Sequence, residues 1–270
     1  MSKDNSTQGL SRRQFLKVGG GLIGVATAAT VLPRALLRPT KVVEAAQAAL
    51  ITEPDLLFAA TDGWIHLPSP DVPPYHPDDM APAEPPGLTT YIFGFRDLTG
   101  VADAQLSSQK MKAQLTSPTF WIDEGADFTL KLTNLGLQIR PDLIDAHTLH
   151  FHGFRDAIPI FDGEPHSSVG APIARDLPSF YRPHHPGTYM YHCHFEETEH
   201  VHMGMVGVVF VRPAADTPDQ RYAYNDPSTA FDREFVMCMN EVWSLAHWCD
   251  SHVQLPEWSD YAPDFWLLNG

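Results

Sequence analysis

The stretch TFWIDEGADFTLKLTNLG, residues 119–136, puts Phe128, Leu130 and Leu132 on one side of the chain and Thr129, Lys131 and Thr133 on the other. A period of two is what a half-buried β-strand requires, because successive side chains point to opposite faces of a sheet. Outward from it, TLHFHGF (148–154), GTYMYHCHF (187–195) and GMVGVVFVRP (204–213) read as further strands. Turn clusters separate them, among them FDGEP (161–165) and RPHHPG (182–187). Short strands punctuated in this way predict an all-β, antiparallel sandwich.

Composition agrees. Hydrophobic residues make up 43% of the 270, alongside 24 prolines and 18 glycines, which suits a loop-rich β protein more than a helical one. The formal net charge of −15 argues against nucleic-acid binding, since neutralising phosphates takes a surplus of Lys and Arg.

The first 48 residues read as an export signal. SRRQFLK (11–17) precedes a Gly/Ala-rich apolar run too short to span a bilayer comfortably, so no stable membrane anchor is expected. Arg12-Arg13 followed by Phe15, Leu16 and Lys17 resembles a twin-arginine signal, and Ala46 and Ala48 offer a cleavage site. The expected location is periplasmic or extracellular. Loss of seven basic and two acidic residues with that segment takes the net charge from −15 to −20. Residues 49–90 are rich in Pro and Asp and read as an irregular arm; a sandwich domain is expected over 91–215. A polar connector, 213–227, leads to REFVMCMNEVW (233–243), which reads as the first strand of an incomplete second domain over 228–270.

Two histidine clusters carry the chemistry. In HTLHFHG, His150 and His152 share a strand face, whereas His147 is an odd number of residues away and can point elsewhere. MYHCHFEETEHVHMGM (190–205) holds four histidines, three methionines and Cys193. On a strand, Cys193 faces one way and its neighbours His192 and His194 the other, so that one thiolate and two imidazoles address different metals. One Cys, two His and a weak axial Met make a blue-copper site. Cys193 and His147 supply its first two ligands. His200 with Met205 is preferred over His202 for the rest, because a five-residue step from His to Met recurs in blue-copper loops and five residues past His202 stands Gly207. Without metal, the same residues would be strand polar groups around a buried thiol. His184 and His185 lie in a turn and are expected to be solvated, as is the run Glu196, Glu197 and Glu199; Cys238 and Cys249, eleven apart, are candidates for a disulfide.

H-x-x-H-x-H-G, Gly187-Thr188-Tyr189, His-Cys-His and the following His…Gly-Met together resemble the blue-copper domain of multicopper oxidases, in particular the two-domain, laccase-like branch. The resemblance spans about residues 118–212 and implies a cupredoxin-like (plastocyanin-like) Greek-key β-sandwich. It implies type 1 copper on His147, Cys193, His200 and Met205, type 2 copper on His150, and type 3 copper on His152, His192 and His194, with the electron path running from Cys193 to His192 and His194. It also implies one-electron oxidation of a small reducing substrate, with dioxygen reduced to water at a trinuclear cluster. That cluster takes eight histidines in the family, and this sequence shows four. The others would come from a second domain, often of a neighbouring subunit in a homotrimer, so the 270 residues alone are expected to be inactive. Two alternatives stay open: a copper nitrite reductase, which typically has Asp where His150 stands and a non-ligand at His194, and a blue-copper electron carrier without enzymatic activity.

Overall fold

The computed structural model describes residues 54–67 and 90–270. The expected export signal, and the arm apart from 54–67, lie outside the described residues. Two four-stranded sheets make the body. One has the order β2-β1-β4-β6, with β1 at Leu56–Ile65, β2 at Thr90–Asp97, β4 at Phe128–Gly136 and β6 at Asp176–Tyr181. The other has the order β3-β8-β7-β5, with β3 at Phe120–Asp123, β5 at His150–His152, β7 at Gly187–His192 and β8 at Val206–Arg212. The strand expected from Phe128, Leu130 and Leu132 is β4, and those three side chains are buried. In β8 the same alternation buries Gly207, Val209 and Val211.

Between the sheets lies an aromatic core. Phe58 meets Phe120 edge-on at 5.4 Å, Phe120 meets Tyr191 at 5.5 Å, and Phe151 meets Tyr181 at 4.9 Å. Such pairs add to the free energy of area burial. Tyr191 is wholly buried and its hydroxyl donates to Pro118 O at 2.5 Å. The ring lies over Gly207, its partner in the β7–β8 register; a Cβ there would come within 2.6 Å of three atoms of the Tyr191 ring and hydroxyl.

Three features depart from the sequence reading. The sandwich is not wholly antiparallel: β1 pairs with β4, and β3 with β8, in parallel. Non-consecutive strands lie side by side in each sheet, as a Greek key requires. Second, part of the expected irregular arm is β1, a central strand that buries Leu57, Phe58, Ala59 and Ala60 between β2 and β4. The Pro/Asp-rich composition of the neighbouring residues masked its apolar run. Third, 228–270 packs on the sandwich. It holds β11 (Met239–Val242), paired antiparallel with β12 (Phe265–Leu268), and between them the helix Ser244–Ser251. Val242 and Phe265 share a small core with Leu67, and Thr116 Oγ1 donates to Asn240 Oδ1 at 2.5 Å. The partly buried Leu267 adds to this small core, which also takes in Ile65 and Leu115.

A short helix, α1 (Asp103–Leu106), precedes β3; α2 (Glu197–Met203) follows β7, and Ser244–Ser251 is α3. Two minor strands, β9 (Arg221–Tyr222) and β10 (Ala230–Phe231), pair within the connector region. Among the described residues no helix is long and apolar enough to cross a membrane.

Candidate metal centre

Strand β7 ends at His192, and the chain passes through Cys193 and His194 into α2. Cys193 is wholly buried; its N–H donates to Met205 O at 3.1 Å, which draws the start of β8 alongside it. Glu196, with φ of 40°, turns the backbone into α2, and Gly204 ends the helix at φ 125°. At Gly204 a Cβ would stand 2.5 Å from Phe93 O, so only glycine lets the chain fold back tightly enough to bring Met205 beside Cys193.

The first cluster is the consequence. Cys193 Sγ lies 3.4 Å from His200 Nδ1 and 3.6 Å from His147 Nδ1, and the His147 and His200 rings are 4.9 Å apart. His147 is held by a two-way backbone bridge to Ala171. All three ligand-bearing side chains and Met205 are buried. Burial disfavours charge, and it pushes the Cys193 thiol up to about 11, His147 well below its usual value and His200 down to about 4. Both imidazoles are therefore neutral at physiological pH, with a lone pair to give. His202, the alternative, is elsewhere: its ring stacks on Tyr261 at 4.5 Å. Met203 is buried in the core.

His150, His152 and His192 form the second cluster, their ring nitrogens lying within 4.8 Å of one another. His194 joins its edge, with ring centroids 4.9 Å from His150 and 5.3 Å from His192. Cross-strand pairing of β5 with β7 sets His150 opposite His192. Three of the four rings are oriented by a group outside the cluster. His150 Nδ1 is 2.7 Å from Asp162 O, His192 Nδ1 is 2.8 Å from Cys193 O, and His194 Nδ1 is 3.2 Å from Glu197 Oε2. Nδ1–H bonds of this type fix the tautomer and leave Nε2 as the ligand atom. His152 Nδ1 lies 3.4 Å from His192 Nε2. Burial is the main cause that lowers His192, and the neighbouring imidazoles add to it.

The donor sets fit copper. The first offers two imidazole nitrogens and a sulfur in a buried pocket, with no carboxylate among them. Soft sulfur with imidazole suits copper and excludes the hard, oxygen-seeking cations. An all-imidazole set such as the second suits the same metal.

His184 and His185 are exposed, as expected; His185 Nδ1 pairs with Asp156 Oδ2 at 3.0 Å. Glu199 is not solvated. Glu196 and Glu197 are exposed, but Glu199 shares the inner face of α2 with His200 and Met203 and is buried. Helical phase dictates this, and it was available in the sequence once 197–203 was read as a helix. Cys238 and Cys249 are free thiols and do not pair. The carbonyl of Asp162, which aims His150, had no sequence signal because a backbone oxygen belongs to every residue.

Fold and donor sets together define a cupredoxin-like, copper-binding sandwich. The family model of multicopper oxidases matches residues 102–216, so this region is similar to a multicopper oxidase domain, and that family's cofactor is copper. Among solved structures, a multicopper oxidase called mgLAC matches with a TM-score of 0.53 and 20% identity, over 79% of this chain and 52% of that one. A blue copper oxidase from Nitrosomonas europaea matches with the same TM-score and coverage at 19% identity. These likenesses are of fold, and the chain spans about half the length of the structures it matches. No curated protein sequence matches it.

Proposed function

We propose that this chain provides the donor-oxidising half of a laccase-like copper oxidase, with type 1 copper on His147, Cys193, His200 and Met205. The observation that carries this reading is the adjacency of two donor clusters around one cysteine. The Cys193 sulfur belongs to the first, and its covalent neighbours His192 and His194 belong to the second. Copper, when bound, supplies one-electron chemistry toward a small reducing substrate and toward dioxygen.

The residues do the rest. His147, Cys193 and His200 offer a buried, water-excluding pocket whose rings are neutral. Met205 lies buried beside them as the weak fourth ligand. The bonds from Cys193 to His192 and His194 are the shortest covalent route between the clusters. His150 is this chain's type 2 copper ligand, and His152, His192 and His194 its type 3 ligands. They are four of the eight imidazoles such a cluster uses; four more would come from a second domain, with a homotrimer as the assembly, where dioxygen is reduced to water. Export by the twin-arginine route, to the periplasm or beyond, fits a protein that takes up its metal while folded.

The nitrite reductase reading is disfavoured by one observation: the His150 and His194 rings, at the two positions where that enzyme departs, lie 4.9 Å apart in one cluster. Copper loading tests the proposal. The loaded chain should be blue, with an intense thiolate-to-copper absorption and the narrow copper hyperfine splitting of such sites by electron paramagnetic resonance. A colourless copper-loaded chain sinks it.

A further inference from the structure

The helix that carries His200 is backed at three points by residues beyond the connector, at the first of them through Arg140. Asp250, in α3, is wholly buried and ion-paired to Arg140 Nη1. Arg140 is itself 4% exposed; its Nε and Nη2 hold Asp142 at 3.0 and 2.9 Å, and its Nη1 lies 4.0 Å from Glu199 Oε1. Glu199 is the residue before His200. Three carboxylates thus surround one guanidinium, and burial, then the neighbouring Glu199, raise Asp250 above the ordinary carboxylate range.

The second point is His247, 2% exposed, whose Nδ1 lies 2.7 Å from Tyr91 O on β2 and which also bonds to the backbone of His202. At the third point the His202 ring stacks on Tyr261 at 4.5 Å and 6° between planes, and lies 5.3 Å from Trp258. Trp243 closes this cage at about 6 Å from both. Every grip falls within two residues of His200.

Buried charge is a poor way to gain stability, since desolvation offsets much of the attraction, whereas fixing one arrangement is a better-attested use. A helix of seven residues has little stability of its own, so its position is set by what it packs against. We propose that Asp250 with Arg140, His247, and the Trp258–Tyr261 cage are positioning residues that hold α2 so that His200 Nδ1 faces Cys193 Sγ. The segment following the connector is then a working part of the first metal centre. This rests on the reading of His147, Cys193 and His200 as copper ligands.

The test uses the full chain loaded with Cu(II), and reads the thiolate-to-copper band, the copper hyperfine splitting and the rate of copper loss to a chelator. Two variants attack separate grips. Arg140→Met/Glu199→Gln/Asp250→Leu replaces the ion pair by apolar groups and removes the buried carboxylate it would leave unpaired, an exchange buried pairs often tolerate. Tyr261→Ala removes the stacking partner of a ring that is only half buried. Each should remain folded by far-ultraviolet circular dichroism, show a weakened or displaced band, and lose copper roughly 10-fold faster, the low end for residues that orient ligands. Tyr261→Phe keeps the stacking face and should restore the wild-type values. Folded variants with unchanged band, splitting and copper loss overturn the clamp. So does loss of the sandwich in both, because the segment would then serve the fold and not the ligand. A colourless wild type fails differently: it removes the copper reading, and the clamp with it.

Discussion

At Cys193 the alternation of a β-strand becomes chemistry. Its sulfur faces His147 and His200 while its two neighbours meet His150 on the other side of the backbone. This was legible in the sequence because side-chain direction on a strand depends only on parity. Cys193→Ser should abolish the colour of the copper-loaded chain, as a hydroxyl cannot supply the thiolate. His200→Ala should bleach it as well, whereas His202→Ala should leave a blue protein that holds copper less firmly. Bleaching by His202→Ala but not by His200→Ala, in absorption spectra at equal copper loading, would reverse the ligand assignment. Met205→Leu should keep the colour and raise the reduction potential measured by redox titration, because a weak axial ligand tunes potential more than it binds. Glu199 shows where parity stops helping. The same sixteen residues leave strand geometry at Cys193, and from Glu197 a helical phase decides which side chains turn inward.

At the scale of elements, β4, β5, β7 and β8 were recoverable from alternation, and β1 was not. Its apolar run LLFAA sits in a stretch whose overall composition is that of a loop, and pairing with β4 thirty-odd residues beyond β2 is a tertiary fact. Register makes a prediction here. Gly207→Ala would drive a methyl into the buried Tyr191 ring and hydroxyl, which lie within 2.6 Å of the Cβ position and cannot swing away. Overpacking of this kind costs about 1–3 kcal/mol, measurable as a lowered denaturation midpoint with an unchanged slope. The Arg140, Asp142, Glu199 and Asp250 group gives a pH signature. Glu199 and Asp250 are both raised above the ordinary carboxylate range, by burial first, so the two hold one proton between them while Arg140 stays paired with the remaining carboxylate charge. The folded state therefore binds one more proton than the unfolded chain above the ordinary carboxylate range, and stability falls as pH rises until that proton is lost. Below about pH 6.5 the lowered values of His147, His200 and His247 oppose this, since there the unfolded chain takes up their protons. From about pH 6.5 to 7.5 the Glu199–Asp250 trend dominates, before the unfolded Cys193 thiol begins to titrate and adds to it. Urea denaturation of the metal-free chain across that window should show declining stability, flattened in Asp250→Asn; a rising or level profile in the wild type contradicts the assignment.

Across the whole molecule, the sequence pointed to the residues that gather into two donor clusters but not to what braces the first. Donor spacing is local, so that His147, Cys193 and His200 would converge could be read from one dimension. Arg140 and Asp250 stand 110 residues apart and have no spacing rule to betray them. The same distinction separates the two clusters in what they should bind. The first is buried on all sides within this chain and has its ligands on elements locked by backbone bonds to Ala171 and Met205. The second is open: His152 is exposed, His194 is half-buried, and it offers imidazoles alone. Metal affinity follows ligand number and completed outer bonding, so the chain should retain about one copper through dialysis against a weak chelator. Added reductant should bleach that centre promptly, and oxygen uptake with a phenolic donor should stay near background. Mixing with a protein that supplies the remaining histidines should raise both copper content and oxygen uptake together. Metal analysis beside an oxygen electrode checks the pair of outcomes, and close to four coppers with sustained turnover by this chain alone would show that its own residues complete the second cluster.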